Sequence, residues 1–163
     1  MVGQVLLAMI AYYRGDARRI NHFLKVYGFA RAIGAGEKLC PETQEILLIA
    51  ALTHDIGIKN SESKYGSSSG AYQQTEGPPE AEKLLRSLGV EEAVIERVCW
   101  LIAHHHTYKD IEGQDYQILV EADFLVNAFE DDLGAEAIGA FERSVFKTQT
   151  GIALLQTVYA DRV

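Results

Sequence analysis

The apolar residues of this 163-residue chain recur with helical spacing along almost its whole length. No segment alternates apolar and polar residues as a half-buried strand does. Asp16 is a candidate N-cap, Pro41 suits the first turn of a helix, and Gly34 and Gly57 mark helix ends. The sequence therefore predicts an all-α bundle of about seven to eight helices. The predicted helices cover residues 2–13, 16–34, 41–57, 78–88, 91–106, 115–130, 135–146 and 149–160.

One segment departs from the helical pattern. Residues 60–77 are rich in Ser and Gly and nearly free of aliphatic side chains. This composition predicts a flexible loop over 58–77, which is either a mobile linker or a flap beside the end of the third predicted helix. As a flap, it would bring Tyr65, Tyr72 and Gln73 to a substrate.

Composition excludes several classes of function. A net charge of −8 argues against the broad basic surface of a nucleic-acid binder and against adsorption to anionic membranes. Two cysteines favour a reduced cytoplasmic setting, and no apolar run approaches the roughly 20 residues of a membrane span. The run Val5–Ile10 lacks the basic flank of a signal peptide. We expect a single-domain cytoplasmic protein, monomeric or homodimeric, with no membrane or nucleic-acid duplex as partner.

The charge is distributed unevenly along the chain. Residues 14–38 carry a net charge of +4, whereas residues 109–142 carry −9. The basic block is either an ordinary solvated helix face or a site for an anion, and composition does not choose between them.

Four residues with metal-ligating side chains lie near predicted helix ends. His54 and Asp55 are adjacent, and adjacent helical residues point about 100° apart, so both reach one ion only from a helix end. His22 lies on an apolar stripe with Arg18 one turn earlier. Asp123 lies on an inward face, where an unpaired carboxylate costs several kcal/mol, on the order of magnitude. Each has an ordinary alternative: surface polarity, a satisfied core histidine, or a hydrogen-bonded core aspartate.

Three consecutive histidines end the fifth predicted helix. His104, His105 and His106 are either cations that compensate the helix dipole or further ligands. His105 and His106 continue the inward faces of their helix, whereas His104 lies on a flank. Facing helices of a bundle are a natural scaffold for a metal, and a set of His and Asp without Cys suits Mn, Fe, Co, Ni, Mg or Zn.

The order His22, His54-Asp55 and Asp123, separated by 32 and 68 residues, resembles the H…HD…D pattern of the HD-domain metal-dependent phosphohydrolase superfamily. The surrounding segments RINHFLKVYGFA, LLIAALTHDIG and YQILVEADFL are also similar to that family. The resemblance implies an HD domain over 1–163, with a core at 16–130 and C-terminal helices at 131–163. It implies a divalent metal held by these four side chains at the centre of the bundle.

The resemblance also bears on a second ion. The two-metal branch that cleaves dinucleoside polyphosphates has further histidines, in stretches like HGPxxA and AIxxHT, and this chain has EGPPEA at 76–81 and LIAHHHT at 101–107. Glu76 therefore stands where that branch has a histidine, and a glutamate also ligates hard metals. His105 or His106 would supply the later ligand, with Asp55 bridging. We expect one or two divalent ions.

The resemblance implies hydrolysis of a phosphate ester or anhydride on a small molecule, a nucleotide or dinucleotide. The ion would lower the pKa of a water molecule from about 15.7 towards neutrality. Arg18 is the predicted phosphate clamp because guanidinium binds oxygens bidentately. Arg19 and Lys25 are further substrate-binding candidates. The alternative for all three is solvated helix surface.

Two more residues are catalytic candidates. Many members have HDxGK, whereas Ile58 occupies the lysine position here and Lys59 follows one residue later. Glu80 or Glu76 would act as general base. Two other functions remain open from the sequence: a di-iron centre that activates oxygen, as in a few HD-like folds, and a non-catalytic sensor of a metal or nucleotide.

Overall fold

The structure is a computed structural model that describes residues 1–162. This part of the chain contains nine α-helices and no strand, which confirms the all-α prediction. None of these helices is both long enough and apolar enough to cross a membrane. In chain order they are α1 (Val2–Tyr12), α2 (Ala17–Gly36), α3 (Pro41–Thr53), α4 (Ile58–Tyr65), α5 (Gly70–Ser87), α6 (Glu92–His104), α7 (Gln114–Glu130), α8 (Ala135–Val145) and α9 (Gln149–Val158).

Local signals position the helices that lead to the site. The side chain of Asp16 caps α2 by accepting a hydrogen bond from the backbone N–H of Arg19, at 3.1 Å. Pro41 opens α3 at its first turn, where its missing N–H costs nothing. However, α3 ends at Thr53 rather than Gly57, and a tight turn leads directly into α4.

The expected flexible loop at 58–77 is wrong. Helix α4 fills 58–65, and α5 begins at Gly70, so only residues 66–69 connect two helices. The predicted start of a helix at 78 is also wrong, because both prolines of α5 lie inside it. The chain therefore has nine helices over 1–162 rather than about seven to eight.

Close packing explains why this segment is helical despite its composition. A Cβ atom on Gly57 would lie 2.6 Å from the backbone nitrogen of Gly77, and one on Gly77 would lie 2.6 Å from Ile102. The two glycines therefore let the middle of α5 approach both the turn after α3 and helix α6. Tertiary contacts of this kind override the weak helix propensity of Gly and Ser.

Helices α3 and α7 form the centre of the core. Every residue of α3 from Leu47 to Thr53 is buried, and α7 is buried on most of its faces. Helix α2 packs against both, α1 and α6 pack against α3, and α5 packs against α4 and α6. The candidate ligands on α2, α7 and the turn after α3 therefore belong to three mutually packed elements.

A buried carboxylate fixes the C-terminal helices to this core. Glu121 of α7 is fully buried and accepts hydrogen bonds from the backbone N–H groups of Lys147 and Thr148, at 2.7 and 3.0 Å. The hydroxyl of Thr148 also donates to it. The negative charge lies at the N-terminus of α9, where the helix dipole stabilises it. Helix α9 is thereby held against α7.

Candidate metal centre

The four predicted ligands converge on one point. The Nε2 atom of His22, from α2, lies 3.2 Å from Nε2 of His54, 3.4 Å from Oδ2 of Asp55 and 3.3 Å from Oδ1 of Asp123. The Nε2 atom of His54 lies 3.5 Å from each of the same two carboxylate oxygens. Two nitrogens and two oxygens from three elements therefore face a common centre.

These residues fit a divalent metal ion. Metal–ligand bonds of about 2.0–2.2 Å place neighbouring ligand atoms about 3.0–3.5 Å apart, as observed here. The Oδ1 atom of Asp123 is buried without a hydrogen bond of sound geometry among residues 1–162. A buried carboxylate oxygen in this state is costly unless a cation approaches it. The distances and the orphaned oxygen both favour an ion at the centre.

Hydrogen bonds fix the rings so that ligating nitrogens face inward. Nδ1 of His54 lies 2.9 Å from the carbonyl oxygen of Ala51, and a carbonyl only accepts, so Nδ1 carries the proton. The Nε2 lone pair of His54 is then left for an ion. Nδ1 of His22 lies 3.0 Å from Oε2 of Glu130, a carboxylate–histidine pair typical of metal sites.

The shifted pKa values of the clustered side chains also favour a bound cation. Burial alone lowers the pKa of His54, but the charges of Asp55 and Asp123 outweigh burial and raise it to about 9. The same carboxylates raise the pKa of His22 against the effect of its burial. The histidines in turn hold the pKa of both aspartates well below the usual range although burial opposes this. Without an ion, protons on the histidines balance the carboxylates.

A second group of ligand atoms adjoins the first. Asp55, His105 and His106 have ligand atoms within 4.8 Å of one another, and Oδ1 of Asp55 lies 3.7 Å from Nε2 of His105. Nδ1 of His105 donates to the carbonyl of Ile102, and the Nε2 atoms of both histidines are buried without hydrogen-bond partners within residues 1–162. Burial, then the neighbouring His105, lowers the pKa of His106 to about 4. Asp55 is shared by both groups.

Glu76 lies in neither group of ligand atoms. Its Oε2 atom accepts a hydrogen bond from Lys64 Nζ, and its Oε1 atom accepts one from Tyr65 OH at 2.9 Å. Lys64 and Tyr65 belong to α4, which the sequence did not predict, and their contacts occupy both oxygens of the carboxylate. Glu76 therefore joins α5 to α4 through hydrogen bonds and does not belong to the cluster of candidate metal ligands. We call this contact the junction of α4 and α5.

Tyr72 and Gln73 also build this junction. The ring of Tyr72 stacks on that of Tyr65, with centroids 4.1 Å apart. The amide of Gln73 donates to the carbonyl of Ser68 at 2.8 Å. Of these residues only Ser68 lines the cavity beside the metal cluster, so the structure does not place Tyr72 or Gln73 as direct substrate contacts.

A cavity of about 300 Å³ opens beside the cluster, between the start of α2, α4 with its following turn, and the end of α7. Arg18 lines this cavity, is exposed, and forms no ion pair within the described chain. The residues that line the cavity are Asp16, Arg18, Arg19, His22, Asp55, Ile58, Glu62, Ser68, Asn127, Glu130 and Asp131.

The other predicted phosphate-binding cations already have protein partners. Arg19 pairs with Asp16 at 2.7 Å and with Glu62 at 2.6 Å. Lys25 pairs with Oε1 of Glu130 and does not line the cavity. Arg18 is therefore the predicted cation that is best placed for an anion.

Lys59 and Glu80 lie away from the cavity. Helix α4 begins at Ile58, which lines the cavity, so Lys59 points about 100° around the helix towards α1. There its ammonium donates to the carbonyl of Tyr12 and lies 4.6 Å from the Tyr12 ring centroid. Glu80 accepts a hydrogen bond from Asn60 at 3.3 Å. The structure thus gives neither residue the catalytic position expected from the sequence.

Two contributions to the site were not predicted. Glu130 lies seven residues after Asp123, on the same face of α7, so helical spacing held a signal for it. Tyr13 donates a hydrogen bond of 2.8 Å from its hydroxyl to the backbone carbonyl of Asp55 and so supports the turn that carries two candidate ligands. No local pattern connects Tyr13 to that turn.

The comparisons with known proteins agree with this geometry. The family model of the HD domain matches residues 19–142, which is more than half of the chain. The chain belongs to the HD domain family. This HD domain is also similar to a crystal structure from an uncultured Thermotogales bacterium, named as a predicted HD superfamily hydrolase. The TM-score is 0.69 at 24% identity, over 98% of this chain and 85% of that chain, which shows a shared fold. A search of curated proteins found no match.

Proposed function

We propose that this HD domain is a metal-dependent phosphohydrolase that acts on a small phosphorylated substrate such as a nucleotide. The observation that carries the proposal is that a His/Asp cluster and the unpaired Arg18 open onto the same cavity. A bound divalent ion supplies Lewis-acid activation of water and offsets charge on the transferring phosphoryl group. These are the requirements of phosphoester hydrolysis.

The residues of the chain divide the remaining work. The ion is held by His22, His54, Asp55 and Asp123. Hydrogen bonds already fix the rings of the two histidines, so these side chains need not reorient when the ion binds. Arg18 binds oxygens of the substrate phosphate through two parallel N–H groups. Glu76 and Glu80 lie outside the cavity lining, so the proposal assigns neither as general base.

The proposal includes a second ion at the adjoining group. Asp55 faces the first cluster through Oδ2 and His105 through Oδ1, as a bridging carboxylate does. The buried, unpartnered nitrogens of His105 and His106 are available as its other ligands. Asp55, His105 and His106 would hold a second ion, which would supply further positive charge for the phosphoryl group.

The test is a metal-supplemented screen of nucleotides, dinucleoside polyphosphates and sugar phosphates, with metal content measured on the same samples. We expect turnover by the wild type and loss of both metal and turnover in Asp55→Ala. Turnover of no phosphate ester by metal-replete protein would contradict the proposal. Full metal occupancy in Asp55→Ala would contradict the ligand assignment.

A second variant separates the phosphate clamp from the metal. Arg18→Met should keep its metal and lose about 10–100-fold in kcat/KM, since a hydrogen bond to a charged group contributes about 1.5–3 kcal/mol. Arg31→Met is the matched control, because Arg31 is an exposed residue of the same helix that does not line the cavity. Equal kcat/KM in the two variants would remove Arg18 from the proposal.

A further inference from the structure

We infer that the cavity selects substrates with a single phosphoryl group over those with a di- or triphosphate chain. The inference rests on the proposed phosphohydrolase function and concerns the charge and size of the cavity rather than the metal ligands. Five carboxylates and two guanidinium groups line the cavity. A site for a polyphosphate has the opposite balance, because each phosphoryl group needs positive partners.

Existing ion pairs leave one cation for a substrate. Arg19 is held between Asp16 and Glu62, so its charge is already balanced. Arg18 has no ion-pair partner in the described part of the chain. Asp131, at the end of α7, is exposed and is likewise outside every ion pair of residues 1–162. The lining residues outside any ion pair are thus one guanidinium group and one carboxylate, and the group of Arg19 with Asp16 and Glu62 carries one further negative charge.

The metal cluster does not reverse this balance. A divalent ion in the first cluster is neutralised by the two carboxylates Asp55 and Asp123, because both histidines ligate in the neutral form. A second ion at His105 and His106 adds two positive charges, which one phosphoryl dianion uses. Further phosphoryl groups then face Glu62 and Asp131 with no lining cation left, and juxtaposed like charges are repulsive.

The size and polarity of the cavity fit the rest of a monophosphate. About 300 Å³ is at the lower end of small-molecule sites, which span about 300–1,000 Å³. Asn127 offers both donors and an acceptor, and Asp131 offers acceptors, on the wall formed by the end of α7. These groups suit the hydroxyl or amino groups of a sugar or nucleoside. The substrate class is therefore a phosphomonoester of a sugar or nucleoside.

The experiment compares one nucleoside as its 5′-mono-, di- and triphosphate on metal-loaded protein. Binding is measured by calorimetry with metal in excess, and hydrolysis is measured separately. We expect the monophosphate to bind at least tenfold more tightly than the diphosphate, and the triphosphate to bind more weakly still. Equal or tighter binding of the di- or triphosphate, or no binding of the monophosphate, would overturn the inference.

Charge-removing variants test the cause of the selection. Asp131→Asn and Glu62→Gln should each narrow the difference in affinity between mono- and diphosphate several-fold, because each removes a repulsive charge and the second leaves Arg19 paired with Asp16 alone. Asp132→Asn is the matched control, since Asp132 is adjacent, has a side chain 89% exposed, and lies outside the lining. An unchanged preference in both cavity variants would contradict the electrostatic cause. Preferential binding of the monophosphate without hydrolysis would refute the proposed function and leave the selection intact.

Discussion

Glu130 of α7 links the proposed metal ligand His22 to Lys25, and both of these residues belong to α2. One carboxylate oxygen lies 3.0 Å from Nδ1 of His22, and the other accepts from Lys25. Such a partner orients the ring and increases the basicity of its ligating nitrogen, and its loss typically costs 10–100-fold in metal affinity. We therefore expect Glu130→Ala to bind metal about 10–100-fold more weakly while remaining folded.

The measurement is a metal titration against a competing chelator, with circular dichroism as the check on folding. Glu96→Ala is the control, because Glu96 is an exposed glutamate of α6. If Glu130→Ala and Glu96→Ala bind metal equally well, Glu130 does not position the ligand.

The protonation of His54 predicts opposite effects of pH on the metal-free and metal-loaded forms. The pKa of His54 is raised from 6.5 to about 9 against its burial, by Asp55 and Asp123, in the metal-free protein. Its proton therefore stabilises the fold fully below pH 6.5, and this stabilisation is lost as the pH rises through about 9. A metal displaces that proton, so its affinity rises over the same interval. The difference in Tm between the two forms should widen from pH 6.5 to 9.

Differential scanning fluorimetry in matched buffers, with and without metal, measures this difference. His54→Gln should show a smaller widening, because its amide does not titrate and only His22 still exchanges a proton for the ion. A constant difference in Tm across this interval in the wild type would show that His54 does not compete with the ion for a proton.

At the scale of elements, the contact between the α3 turn and α5 depends on two glycines. A Cβ atom on Gly57 would lie 2.6 and 2.8 Å from backbone atoms of Gly77, which have no side-chain freedom to yield. Gly57→Ala should therefore destabilise the fold by about 1–3 kcal/mol, the typical cost of overpacking, and weaken metal binding because Asp55 lies two residues away. Urea unfolding and metal titration measure the two effects.

Gly28→Ala is the matched control for this substitution. Gly28 is an exposed residue within α2, and a Cβ atom there meets nothing within 4 Å. Alanine should stabilise the helix at this position by about 0.5–1 kcal/mol. A neutral effect of Gly57→Ala would show that the close approach of α5 is not tightly packed.

Helices with local signals were predictable, and helices that depend on distant contacts were not. Asp16 and Pro41 mark the starts of α2 and α3 through caps and backbone geometry that the sequence contains. Helix α4 and the first half of α5 lack such signals and contain few aliphatic residues. They are explained by contacts such as that between Gly57 and Gly77, which are twenty residues apart in sequence.

The same distinction separates the parts of the site. The structure brings His22, His54, Asp55 and Asp123 together, as the sequence predicted. Helical register places His22 and Asp123 on inward faces, and His54 and Asp55 are adjacent at a helix end. The catalytic role predicted for Lys59 does not match its position, because the direction of its side chain depends on where the unpredicted helix α4 begins. A one-residue shift around a helix turns a side chain by about 100°, which is enough to remove it from a cavity.

At the scale of the whole molecule, the basic and acidic blocks of the sequence meet at the site. Helix α2 carries most of the +4 segment and packs directly against α7, which lies in the −9 segment. Lys25 and Glu130 pair across this contact, and Arg18 and Asp131 face the cavity from its two sides. Although the net charge of the chain is −8, basic and acidic side chains therefore line the same cavity.

The cluster of candidate ligands also joins distant parts of the chain, so a bound ion should stabilise the whole fold. His22 and Asp123 are about a hundred residues apart in sequence, yet Nε2 of His22 lies 3.3 Å from Oδ1 of Asp123. At a free concentration 100 times its Kd, an ion bound only by the folded state adds about 2.7 kcal/mol. Since 1 kcal/mol shifts Tm by about 2–4 °C at this size, chelation should lower Tm by about 5–10 °C.

Asp55→Ala should start from a lower Tm and not respond to chelator, whereas Asp132→Asn should respond like the wild type. An unchanged Tm after verified removal of the ion would mean that the cluster is held together by its own hydrogen bonds, with the ion contributing nothing to the fold.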